Sequence, residues 1–228
     1  MSRRERILAE MGLAPIWRLR DSGFSQEKAE EKTPEDDTGP SDSGWMELKR
    51  AVPACTACGL HKSRTQTVFG VGDEKADWLL VGEAPGAEED RLGDPFVGQA
   101  GKLLDNMLAA IGLDRRSNVY IANVLKCRPP GNRNPEPEEV AKCTPFLLRQ
   151  IELIQPKLIV AMGRFAAQTL LASGASIASL RGRVHRYAGV PLVVTYHPAY
   201  LLRNLPDKAK AWEDLVFARR TMQGLLDN

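Results

Sequence analysis

Three groups of residues in this chain have types and spacings that could do chemistry: thiols, an acidic turn, and a histidine set before a proline. The four cysteines fall as a Cys55-Thr-Ala-Cys58 pair and as Cys127 and Cys143, which flank the Pro-rich turn at 129–135. A CxxC pair can grip one metal centre. Four thiolates drawn from distant segments suit an all-cysteine zinc site or an iron–sulfur cluster, and spacing alone does not choose between them. The plainer alternatives are a redox CxxC with two buried thiols, or four unrelated core cysteines. A redox pair usually opens a helix after a strand; here the pair precedes the first clear strand.

The acidic turn runs Gly82-Glu-Ala-Pro-Gly86, then Ala87, Glu88, Glu89 and Asp90. Its glycines allow close backbone approach to a ligand. It is neither a dinucleotide fingerprint nor a P-loop, since GxGxxG and a following GKS or GKT are absent. A carboxylate in such a turn can position or activate water, and Glu83 lies nearest the preceding apolar run. A solvated acidic loop is the alternative. The histidine segment is Thr195-Tyr-His197-Pro-Ala-Tyr200-Leu-Leu-Arg203. His197 can donate to a developing anion or act as an acid. Tyr200, Leu201 and Leu202 beside Arg203 read as an apolar wedge with a phosphate contact, or else as a helix packed on the core. Asn123 can read a donor–acceptor edge, or merely cap a turn. His61 and His185 have no comparable setting. HExxH, GxSxG, an EF-hand loop and the zinc-deaminase pattern are all absent.

These residues need a scaffold. The apolar runs 78–81, 119–125, 158–162 and 192–195 read as buried strands. Helical spacing marks 103–111, 165–171 and 209–226. Asn134-Pro135 before Glu136, Glu138 and Glu139 predicts a helix start with Asn as cap, running towards Ile151. Strands alternating with helices predict a three-layer αβα domain around a mostly parallel, four-stranded sheet. Ligands of such sheets sit beyond the carboxyl ends of the strands. That singles out 82–90, 123–130, 163–165 and 196–203.

Composition bounds the rest. The 228 residues are 43% hydrophobic and 26% charged, ordinary for a globular chain, so fibrous and wholly disordered classes are excluded. No run approaches the ~18 apolar residues of a membrane span, and no secretory h-region opens the chain, so a cytoplasmic protein without membrane partners is expected. The net charge of +2 is unevenly spread. Residues 1–43 carry 7 basic and 10 acidic side chains, leaving 24 against 19 in the body. Residues 22–43 are rich in Glu, Asp, Ser, Thr and Pro and read as a linker. Ile7, Leu8, Met11 and Leu13 allow a short amphipathic helix or a frayed tail. We therefore expect an N-terminal extension at 1–43, a place for protein contacts, and one folded domain at 44–228.

Taken in order, Cys55-Thr-Ala-Cys58, Gly82-Glu-Ala-Pro-Gly86, Asp94-Pro-Phe-Val-Gly98, Asn123-Val-Leu-Lys-Cys-Arg-Pro-Pro130, Cys143 and His197-Pro-Ala199 resemble the family 4, iron–sulfur uracil-DNA glycosylases. The likeness covers nearly all of the chain from Trp45 to Leu225. It implies the uracil-DNA glycosylase fold, a monomer, and excision of uracil from DNA to leave an abasic site in base excision repair. It implies a structural [4Fe-4S] cluster on Cys55, Cys58, Cys127 and Cys143. It implies that Glu83 orients the hydrolytic water and that His197 stabilises charge on the departing uracil O2. Phe96 would stack on the flipped base, Asn123 would bond its edge, and Glu89 would sit near C5. Backbone amides of Ala84, Pro85 and Gly86 would border the base, proline contributing no N–H. Tyr200, Leu201, Leu202 and Arg203 would enter the base stack and hold the displaced strand. Relatives that trap DNA covalently carry a His-bearing basic insertion. Here the turn at 129–135 is short and lacks His, which points to turnover. The reading from another class is a non-catalytic nucleic-acid-binding module with a structural cluster; a redox enzyme is weaker, for want of a flavin or nicotinamide fingerprint.

Overall fold

The computed structural model describes residues 40–227. The N-terminal helix or tail, and most of the linker, lie outside them. The linker ends sooner than its composition implies, because helix α1 (Pro40–Ala54) begins inside it. Proline suits a first helical turn, where its missing N–H has no partner to lose.

Four strands form the centre of the sheet: β2 (Trp78–Gly82), β3 (Val119–Asn123), β4 (Leu158–Met162) and β6 (Val190–Thr195). They pair in parallel as β3–β2–β4–β6. Two short antiparallel strands complete the edges, β1 (Val71–Gly72) against β3 and β5 (His185–Tyr187) against β6, so six strands replace the four expected. A two-residue strand ending in Gly, and a three-residue one of His, Arg and Tyr, carry no apolar alternation to reveal them. Edge strands this short also discourage pairing with other chains.

Side chains alternate across the sheet, and this builds the layers. Leu79, Val81, Tyr120, Ala122, Ile159, Ala161 and Val194 pack on one face with α1, α4 (Pro137–Ile154) and α5 (Arg164–Leu170). Trp78, Leu80, Ile121, Val160 and Val193 pack on the other with α3 (Gln99–Ala110) and α8 (Lys208–Leu226). The three-layer αβα expectation holds. Shorter helices punctuate the loops: α2 (Ala87–Leu92), α6 (Ile177–Leu180) and α7 (Pro198–Arg203). One cap is displaced from its expected place. Glu136, not Asn134, caps α4, and Glu139 closes a capping box by accepting from the Glu136 amide at 2.9 Å. No helix among the described residues is long and apolar enough to cross a membrane.

Candidate active site

The four segments singled out beyond the strand ends converge. One cavity of ≈ 710 Å³ is lined by Glu83, Asn123, Arg164 and His197, one residue from the carboxyl end of each central strand. Ala84, Pro85, Gly86, Glu89, Phe96, Tyr200 and Arg203 also line it. The parallel register sets Gly82 opposite Asn123, and the pairing continues as Leu125 N donates to Glu83 O at 3.1 Å. The carboxylate and the amide are thus carried side by side on adjacent strands.

Asn123 is 2% exposed, and its Oδ1 is buried without a hydrogen-bond partner. An unpaired buried acceptor is costly, and this one belongs to a residue that lines the cavity, where a ligand N–H would satisfy it. Glu83 is half-buried. Burial raises its pKa above the ordinary carboxylate range, and the Arg164 guanidinium partly offsets this. His197 is the N-cap of α7, and its Nδ1 accepts from Ala199 N at 3.1 Å. In the neutral ring the proton therefore sits on Nε2, leaving a donor for the cavity. Burial, followed by the nearby Arg203 charge, pulls the ring down to about 4, so it is neutral at physiological pH. Gly163, at φ 94°, admits this loop: a Cβ there would stand 2.8 Å from His197 Cβ.

Phe96 stands out for its backbone. Its φ of 54° is left-handed, which costs a non-glycine residue about 1–3 kcal/mol. Its ring lies 5.4 Å from the His197 ring at 30° and passes over Gly82, where a Cβ would meet Phe96 Cζ at 2.7 Å. Glu89 lines the cavity with both oxygens already engaged. Oε2 accepts from Gly86 N at 3.1 Å, and Oε1 from Val97 N at 3.0 Å and Gly98 N at 3.2 Å. It ties the acidic turn to the Phe96 loop, and its expected place near the base competes with these bonds.

The wedge reading needs correction. Leu201 is 1% exposed and packs with Met107, Ile111 and Leu215, so it belongs to the core. Tyr200 is held as well: it stacks on Tyr196 at 5.4 Å and donates to Asp207 Oδ2 at 2.6 Å. Leu202, 42% exposed, and Leu205, 62% exposed, are the free apolar groups of this corner. Consecutive residues point to different sides of a helix, so the run Tyr200-Leu-Leu cannot act as one surface. The sequence reading also missed Arg133 and Asn134, which reach the cavity from the loop before α4, and Ser176 and Ile177, the cap and first residue of α6. Polar loop residues carry no periodic signal to mark them.

The four cysteines lie near the exit of β3. All line one small cavity between the loop after α1, the exit of β3, and α4. Among the described residues, no three of His, Cys, Asp or Glu close around a single-ion site. Two donors nevertheless aim at sulfur. Arg64 Nη1 lies 3.1 Å from Cys127 Sγ, and Lys126 N lies 3.2 Å from Cys143 Sγ. Burial pushes the free Cys143 thiol up to about 11 and raises Cys127 as well, so these sulfurs need an electropositive centre to ionise. Four thiols around one pocket, with N–H donors on two, fit a thiolate-bound group. Lys126 is fully buried and joins this region to the first cavity: Nζ donates to Asn123 O at 2.9 Å and to Gln150 Oε1 at 2.6 Å.

Comparison with known proteins agrees with this architecture. Residues 69–216 match the model of the uracil DNA glycosylase superfamily. A type-4 uracil-DNA glycosylase of Archaeoglobus fulgidus is 51% identical over 164 residues, 68% of this chain and 82% of that protein. One from Thermotoga maritima is 50% identical over 69% of this chain and 82% of its own length. A third, from Pyrobaculum aerophilum, is 42% identical over 75% and 91%. The cavity beyond the parallel strands and the paired thiol segments are thus set in a sequence that belongs to the uracil-DNA glycosylase superfamily and, within it, to the type-4 group.

Proposed function

We propose that this chain, acting as a monomer, removes uracil from DNA by hydrolysing the N-glycosidic bond and leaves an abasic site. The observation that carries the reading is the meeting of Glu83, Phe96, Asn123 and His197 in one cavity, with the Asn123 Oδ1 unpartnered. Uracil is a planar base with an N–H flanked by two carbonyls. Asn123 Oδ1 accepts from N3–H while its amide donates to O4, and the Phe96 ring supplies a stacking face. As the C1′–N1 bond breaks, its electron pair moves onto the base, and the Nε2–H of neutral His197 donates to O2. The sugar becomes cationic, and the Glu83 carboxylate stabilises it. Glu83 then takes a proton from the water whose oxygen bonds to C1′, so water is divided between the sugar and the released base. Each contact is stronger in the transition state than before it, which is what accelerates the reaction. A pKa raised by burial makes Glu83 a better proton acceptor.

The base must leave the stack first, at a cost of a few kcal/mol that an inserted apolar side chain offsets. We assign this insertion to Leu202 and Leu205, whose exposure supports it, and phosphate contacts to Arg203 and Arg164. Cys55, Cys58, Cys127 and Cys143 would hold a [4Fe-4S] cluster. When bound, it would supply structural cross-linking of their three segments. Work on DNA places the protein in the compartment that holds DNA, which is the cytoplasm in a cell without a nucleus.

The test is incubation of the full chain with a uracil-containing oligonucleotide, followed by alkali. Strand cleavage at the uracil position is expected. Tight binding without base release would instead identify a binding module.

A further inference from the structure

Phe96 is held in its left-handed conformation by groups that no part of the chemistry above employs. Its carbonyl oxygen accepts from Arg115 Nη2 at 2.9 Å, and the preceding Pro95 carbonyl faces Nη1 at 3.5 Å. The same guanidinium is anchored by Nε donating to Asp105 Oδ1 at 2.6 Å. Arg115 follows α3 and is 20% exposed, while Asp105 lies on α3. On the other side of the residue, Glu89 takes the amides of Val97 and Gly98. Gly101, in the first turns of α3, leaves the space in which this carbonyl fits, because a Cβ there would fall on Phe96 O.

These contacts share one effect. An unrestrained Phe would leave positive φ, and its ring would swing away from Gly82 and His197. The two backbone carbonyls before and at Phe96 receive a rigid two-pronged donor, fixed to a helix through a third N–H. A guanidinium suits this because its five N–H groups are held in a plane. We infer that Arg115, anchored by Asp105, is a positioning residue for uracil excision: it acts through the Phe96 carbonyl to hold the aromatic face against which the flipped base stacks. The inference rests on the uracil reading of the cavity. It adds a residue that touches neither base nor DNA.

The consequence is confined to the base pocket. DNA grip comes from Arg164, Arg203 and the exposed leucines, which this clamp leaves in place. The excision step and the affinity for free uracil should therefore change together, while affinity for the strand should not. Displacing a group from productive geometry by ~1 Å can cost on the order of 10²-fold.

The experiment uses the full-length chain carrying Arg115→Ala, Arg115→Lys or Asp105→Asn, on a uracil-containing single-stranded oligonucleotide. For Arg115→Ala, the single-turnover rate should fall about 10- to 100-fold. KM for the oligonucleotide should stay within about threefold, and inhibition by free uracil should weaken by a factor similar to the rate loss. Arg115→Lys should recover part of the loss, since one ammonium can reach Asp105 or the carbonyl but does not span both. Asp105→Asn should show a smaller loss of the same kind. A crystal structure of Arg115→Ala should show Phe96 outside the left-handed region. A folded Arg115→Ala protein with wild-type rate and uracil inhibition overturns the inference, and so does one whose Phe96 remains at positive φ. If Arg115→Ala does not fold, the two conservative variants decide by the same rate and inhibition readings. Failure of the uracil reading looks different: the wild-type chain would release no base, and the Phe96 angle in the variant would still decide the clamp.

Discussion

His197 spends one ring nitrogen on the Ala199 amide, and that single bond determines which nitrogen carries the proton. A neutral donor suffices for an anionic leaving group, because the site needs charge only as the bond breaks. Two pH effects follow, with opposite origins. With the ring lowered to about 4, His197 stays neutral throughout the range in which an ordinary histidine titrates. No step near pH 6.5 should appear in the single-turnover rate. The acid limb should belong to Glu83, whose pKa burial raises, and His197→Gln should lower the plateau without moving that limb. Removing one such donor costs about 10²–10³ in rate. Stability reads the same group by another route. An unfolded His197 takes up a proton near pH 6.5 and the folded one only near 4, so its contribution is complete above 6.5 and is lost as pH falls towards 4. Glu83, shifted upward, works in the reverse sense. The contribution of His197 is therefore the difference between wild type and His197→Gln in urea melts at about pH 7 and about pH 4.5, worth at most about 3 kcal/mol. A rate step near 6.5 that vanishes in His197→Gln would refute the neutral-donor assignment.

At the scale of elements, α7 shows how far a pattern can be read. It has six residues, and its cap His197 and last residue Arg203 both line the cavity that the strand ends pointed to. The helix turn then separates Leu201 from Leu202, one into the core and one outward. Leu201→Ala should destabilise the fold by about 2–5 kcal/mol in denaturant melts, as deletion of a buried leucine does. Leu202→Ala and Leu205→Ala should leave the melt within about 0.5 kcal/mol. Both should slow excision from double-stranded DNA more than from single strands, where there is less stacking to break. Equal losses on the two substrates would remove the wedge from this corner. The central strands were legible because strands buried on both faces read as continuous apolar runs; two of these runs stop at Gly82 and Gly163, whereas β3 ends at Asn123, two residues before the expected Leu125. The edge strands β1 and β5 were not, being too short to show a period. The positive φ of Phe96, the three amides on Glu89 and the reach of Arg133 into the cavity all arise from long-range packing, which no local spacing encodes.

Across the whole molecule, the two cavities are joined through β3. Asn123 faces the first, Cys127 lies four residues on at the second, and buried Lys126 between them donates back to the Asn123 carbonyl. The cysteines come from the loop after α1, the β3 exit and α4, so a group bound to all four would cross-link segments far apart in the chain. With Cys143 as a free thiol held up near 11, its sulfur is not ionised at neutral pH and holds the Lys126 amide less strongly than a thiolate would. On the proposed cluster reading, loss of the cluster should therefore loosen the β3 exit and, with it, Asn123. Cys143→Ala protein purified without air should contain less iron and melt several degrees lower, because a ΔΔG of ~1 kcal/mol shifts a domain of this size by about 2–4 °C. Its excision rate should fall even at temperatures where it remains folded. Inhibition by free uracil should weaken in parallel, since both depend on Asn123. His197→Gln, by contrast, should retain wild-type iron content, separating damage to the chemistry from damage to the staple. A Cys143→Ala protein that keeps full iron, or one that loses iron yet excises at the wild-type rate, would detach the cysteine site from the base-reading strand.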